Sequence, residues 1–193
     1  MPVEVRVVAL LLHLVAMLFM AAPLYMLIIV NERARFTVPP GYNTDRYMEN
    51  IIKGQPIRCY AYMAIILVTG ILLTWSSGWN WTAPALIAKL VVFAVLIGLL
   101  SYVHFGIQPR IEGILAGVKA GEEVPADKRP LLVRWRMRRK RLAATCLFFV
   151  LSALIFGVKL TLVYGWWLVA VFLVLAALFA WRAFRRPLPF GWF

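Results

Sequence analysis

The chain has 193 residues, 63% of them hydrophobic, with a mean hydropathy of +0.83. Apolar runs of about twenty residues recur, which excludes an ordinary soluble domain and describes a polytopic membrane protein of one domain. The formal net charge is +13, and where the charges fall says more than their sum.

The first apolar run is Val7 to Val30. The preceding MPVEVR lacks the positive n-region of a secretory signal, so the run reads as a retained helix. Pro23 predicts a kink in it, because the ring removes a backbone donor and clashes one turn back. Residues 31–58 form a polar loop containing Pro39-Pro40-Gly41 and the basic residues Arg33, Arg35, Arg46, Lys53 and Arg58. A short amphipathic surface helix fits Asp45–Lys53. Spans are predicted over 59–75 and 85–107, joined by the uncharged turn SSGWNWTAP. A basic loop, 108–141, follows and ends in RWRMRRKR, Arg134 to Arg141. The fourth span is 142–158, and KLTLVYG turns the chain into a fifth, 166–181. RAFRRPLPFGWF makes a basic, proline-broken tail. The expected fold is therefore all-α, a bundle of about five transmembrane helices.

Orientation follows from the cations. Of 21 Lys and Arg, five lie in the first loop, ten in 108–141 and three in the tail. With five spans these share one side, which the positive-inside rule makes cytoplasmic, leaving the N-terminus outside and the C-terminus cytoplasmic. The chain reads as a multi-pass protein of a bacterial inner membrane. Eight tryptophans, several at span ends, fit an interfacial belt. Cys59 and Cys146 have neither disulfide-framework nor zinc spacing and read as small apolar residues. Arg134 to Arg141 suits anionic lipid headgroups, at about 1 kcal/mol per cation, or an acidic partner subunit. Nucleic acid is not an expected partner, since the loop supplies no recognition fold. The spans carry no Asp or Glu, and no phosphate loop, HExxH or nucleophile elbow occurs.

Three ionisable residues stand inside apolar spans: His13, Lys89 and His104. Such groups cost a few kcal/mol in hydrocarbon, so they usually face a bundle interior and mark a site. At about 1.5 Å per residue, His13 lies roughly 9 Å and Lys89 roughly 6 Å below the outer edge, in one layer. His104 lies roughly 28 Å down, about 20 Å from His13, so the two imidazoles of one chain do not grip a single iron. Lys89, Phe93, Leu96, Leu100 and His104 share one stripe at 100° per residue. Ala94, Gly98 and Ser101 share another, which predicts a close helix–helix contact, as Ala153 and Gly157 do more weakly. Arg6, Met17, Met20 and Leu24 lie on the same side as His13, with Arg6 its nearest outer cation.

Three readings of that layer fit the residues. His13 can ligate haem iron, with Lys89 as a second ligand or the counter-charge to a propionate. His13 and Lys89 can form a polar pair that only holds two helices together. His13, Met17 and Met20 can hold Cu(I). His104, beside Tyr102 and Ser101 near the interface, can reach water or serve as a metal ligand.

The first-span LHLVAMLFMAAPLYM and third-span ALIAKLVVFAVLIGLLSYVH resemble the HemJ-type protoporphyrinogen oxidases and the wider CopD-like membrane proteins. Those families carry a His early in the first helix. The HemJ type adds a Lys opening a later helix before a long aliphatic run. His13 and Lys89 match these positions. The resemblance covers roughly residues 7–160 and implies a four-helix core binding haem b through the His, with redox activity in the HemJ branch. The basic loop and a fifth span depart from that pattern. The function expected is a haem-b-binding membrane protein for electron transfer or oxidation of a membrane-soluble substrate. His13 would be the axial ligand, Lys89 the second ligand or charge partner, and Arg6 a propionate contact. The competing expectation is a cofactor-free subunit of a larger membrane complex or a homo-oligomer.

Overall fold

A computed structural model describes residues 2–32, 54–118, 124–162 and 164–185. Regular structure among them is helical throughout: α1 (Val3–Glu32), α2 (Gln55–Ser76), α3 (Pro84–Ser101), a π-helical turn (Tyr102–Ile107), α4 (Gln108–Leu115), α5 (Arg129–Thr161) and α6 (Trp166–Arg185). Among these residues, five helical stretches are long and apolar enough to cross a membrane, the third running continuously from Pro84 to Leu115.

Local chemistry sets the boundaries. α2, α3 and α5 each open with a proline in the first turn, where a missing N–H costs nothing. α2 closes on Gly78, whose φ of +63° suits a residue without Cβ. The turn into α3 is then pinned by the Asn80 side chain, which accepts from the Thr82 N–H at 3.0 Å and its hydroxyl at 2.8 Å. At the end of α5, Lys159 donates to the Tyr164 carbonyl and lies over the Tyr164 and Trp166 rings. α1 remains one helix through Pro23.

α1 packs along α2, and α5 packs between α3 and α6. The consecutive helices α2 and α3 touch each other only slightly, so the bundle is an α1/α2 pair laid against an α3/α5/α6 group. Its core joins Ala16, Met20 and Ala21 of α1 to Met63 and Ile66 of α2, Val92 and Leu96 of α3, and Val150 and Phe156 of α5. A second cluster packs Ile28 and Leu147 against Ala180 and Ala183 of α6. Alanines recur at these seams because lipid gives helices little hydrophobic drive to associate, and small side chains let backbones approach for dispersion contacts.

Two expectations change. Residues 108–141 are not mainly a loop: α4 extends the third helix, and α5 begins at Arg129, well before Leu142. Hydropathy detects only the part of a helix that suits lipid. Here the four-residue spacing of Ile107, Ile111 and Leu115 builds a separate small core with Val124 and Leu132. Of the face predicted from Ala94, Gly98 and Ser101, only Ser101 meets a neighbouring helix, its hydroxyl 2.8 Å from that of Tyr60 in α2, while Ala94 and Gly98 stand unpacked among the described residues. Both residues are exposed, and none of the described residues lies within 4 Å of a Cβ placed on Gly98. The helix expected over Asp45–Lys53 lies outside the described residues.

Candidate functional site

The imidazole of His13 is only 6% exposed and stands where α1, α2 and α3 converge. Its Nδ1 is 2.8 Å from the Thr69 hydroxyl of α2. Thr69 has a single hydroxyl hydrogen, and the Ile65 carbonyl lies 2.6 Å from Oγ1, the back-bond a helical threonine ordinarily makes one turn down. With that hydrogen committed to Ile65, the hydroxyl accepts from His13. Nδ1 therefore carries the proton and Nε2 keeps its lone pair.

That lone pair faces Lys89, whose Nζ lies 3.5 Å from Nε2. The separation is at the outer limit of hydrogen bonding, so Nε2 is oriented but not tightly engaged. Two glycines, Gly70 of α2 and Gly157 of α5, lie against the pair. A Cβ at Gly70 would sit 3.4 Å from His13 Cε1, and a Cβ at Gly157 would sit 3.4 Å from Lys89 Nζ. At these distances a methyl group would make ordinary contact, so the ring packs closely on α2 at Gly70 and the amine on α5 at Gly157.

The pair forms part of the wall of a cavity of about 290 Å³ between the α1/α2 pair and the α3/α5 side. The rest of the wall is largely apolar, with Met17, Met20 and Phe93 within and Trp79 and Trp81 from the α2–α3 turn. Leu14, Leu67, Leu90 and Leu154 line it while remaining exposed, so the space is a cleft open towards lipid. No family model, curated protein or solved structure matches this chain. The site has to be read from its own geometry.

The predicted residues are distributed unequally. His13, Lys89, Met17 and Met20 come together at the cleft. Arg6 is exposed and does not line it. His104 lies at the other end of α3, in the π-helical turn, edge-on to Tyr60 and Phe105. Its Nδ1 is buried without a hydrogen-bond partner among the described residues. No group of three or more His, Cys, Asp or Glu among those residues is arranged to hold a metal ion. Thr69 and Gly70 were not singled out by sequence; the available signal was a Thr-Gly step in the middle of the aliphatic run ILVTGILL.

The assignment of the Nδ1 proton has a direct consequence. Thr69→Val keeps the shape and removes the acceptor, stranding a buried N–H at a cost of about 1–2 kcal/mol. Thr69→Ser, which retains the hydroxyl, is expected to stay within about 0.5 kcal/mol of the parent. Unfolding midpoints of the two variants in detergent measure the difference. The imidazole ¹⁵N shifts report whether Nδ1 still carries the proton.

Proposed function

We propose that this chain is a multi-pass protein of a bacterial inner membrane that binds haem b at the His13–Lys89 cleft. It would serve in electron transfer or in oxidising a membrane-soluble substrate. The observation that carries this reading is the setting of His13, with Nδ1 2.8 Å from a Thr69 hydroxyl that itself lies 2.6 Å from the Ile65 carbonyl, and Nε2 left facing Lys89 in the cleft wall. Metal-ligating imidazoles are held in this way, because the distal hydrogen bond fixes both tautomer and ring orientation. The donor chemistry therefore fits haem iron.

His13 would hold the haem iron through its imidazole. Lys89 would be the second ligand or would neutralise a propionate, and Arg6, on the same side of α1, would contact a propionate nearer the surface. When bound, haem would supply a one-electron redox centre whose potential follows its axial ligands and surroundings. The chain's own contributions are orientation by Thr69, a cation at Lys89, and an aliphatic lining that excludes water. The cavity, about 290 Å³, is just below the usual range of about 300–1,000 Å³ for ligand sites, so a haem would have to reach beyond it. Its open flanks let a flat ligand extend between the helices towards lipid. The resemblance of α1 and α3 to HemJ-type and CopD-like proteins supports the same assignment.

The test is a reduced-minus-oxidised spectrum of the detergent-purified protein. A b-type Soret and alpha band is expected, lost in His13→Ala and displaced in Lys89→Met if the amine is a ligand. A colourless protein that co-purifies with stoichiometric partners would instead identify a cofactor-free subunit. Cu(I) retention that disappears when Met17 and Met20 are changed would identify the copper site.

A further inference from the structure

At the end of the bundle away from His13, four side chains alternate in a ladder. The guanidinium carbon of Arg138 lies 5.4 Å from the Tyr102 ring centroid and 5.7 Å from that of Trp135. Arg110 covers the same indole at 4.6 Å. The order Tyr102, Arg138, Trp135, Arg110 links the π-helical turn to α5 and α4.

A guanidinium stacked on a ring uses its face and leaves its in-plane N–H donors for other acceptors. Both arginines are exposed, and among the described residues neither makes an ion pair. The nearby acid of α4, Glu112, accepts from the Gln108 amide at 3.0 Å, and Gln108 in turn accepts from Arg139 at 3.1 Å. Two like charges therefore share one indole in a chain of net charge +13, with no hydrogen bond from either fork to another of the described residues. The position is also built: Trp135 of α5 packs on the small core of Ile107, Ile111, Leu115, Val124 and Leu132, which holds α4 and α5 against each other.

Depth identifies the occupant. Tyr102 directly follows the apolar run of α3, which puts the ladder where a membrane-spanning helix leaves hydrocarbon for headgroups. Phe105, three residues on and 71% exposed, offers an apolar surface beside it. The geometry points to a specific site for an anionic glycerophospholipid: Arg138 and Arg110 donate to its phosphodiester and anionic headgroup, with an acyl chain against Phe105. Fork geometry and ring stacking distinguish this from the diffuse attraction of a polybasic run, which depends only on charge near the surface. The inference is independent of any cofactor at His13.

Native mass spectrometry of the full chain in detergent, titrated with phosphatidylglycerol, phosphatidylcholine or inorganic phosphate, tests it. Saturable binding of phosphatidylglycerol is expected, about tenfold tighter than phosphatidylcholine, and not displaced by equimolar inorganic phosphate. The R110K/R138K variant keeps the charge but loses fork and stack, and is expected to lose that preference, as is Trp135→Leu. The R134K/R141K variant, altered elsewhere in the same basic run, is expected to bind as the parent does. Parent-like binding by R110K/R138K would overturn the site. An equal loss in R134K/R141K would reduce it to bulk charge, and displacement by inorganic phosphate would make it a free-anion site.

Discussion

Gly70→Val is expected to destabilise the bundle by about 1–3 kcal/mol and to dislodge His13, whereas Gly70→Ala is expected to change either property little. The asymmetry follows from the distance. A Cβ alone would stand 3.4 Å from the imidazole, an ordinary contact. Valine adds two methyl groups beyond that point and is stiff about χ1 in a helix, so it has little freedom to turn them away. The ring cannot retreat without leaving Thr69, because it is buried and its Nδ1 is committed there. Melting curves in detergent, with the haem spectrum or the His13 ¹⁵N shifts as the site readout, check both halves. A Gly70→Val protein with parent stability and unshifted His13 signals would mean that α2 does not confine the ring.

The layer containing His13 and Lys89 was legible because a membrane helix behaves as a ruler. Counting residues from the ends of two apolar runs predicts a shared depth, and the structure brings the two nitrogens to 3.5 Å. The same count separates His104 from His13. Arg6 shows the limit of periodicity. It gives the correct side of α1 but not how far the neighbouring helices reach, and Arg6 stands exposed beyond the cleft.

Thr69 and Gly70 were obscure for a different reason. A threonine that satisfies itself by back-bonding to its own helix is unremarkable in any apolar run, so its second contact is invisible until a partner helix is placed. A glycine's service to His13 is the absence of atoms, which composition cannot record. Ala94 and Gly98 illustrate the converse. Small residues permit close approach without specifying which helix approaches, and among the described residues none does at Gly98. The basic segment reads as loop from hydropathy, which reports solvent preference rather than helicity. Its Leu, Arg, Met and Lys are all good helix formers, and Trp135 and Leu132 anchor it.

A double-mutant cycle on His13 and Lys89 separates a structural clamp from a site kept for chemistry. His13→Ala is expected to cost about 2–3 kcal/mol, because it empties a packed position and also leaves the Lys89 amine without its acceptor. Lys89→Met keeps much of the side chain's length without its charge. On its own it is expected to be within about 1 kcal/mol of the parent, since replacing a partly buried cation by an apolar chain removes a desolvation cost as well as a contact. Combined with His13→Ala, it is expected to recover about 1–2 kcal/mol relative to the sum of the single changes, the signature of two groups that meet. Strict additivity would show that the amine leaves the cleft for the headgroups, and the shared-layer geometry would lose its significance. If coupling is found while Lys89→Met alone keeps full stability and loses the haem spectrum or its redox response, cohesion no longer accounts for the lysine. A cation that the fold can dispense with, held against an imidazole lone pair in an oily cleft, is then there for what the cleft binds.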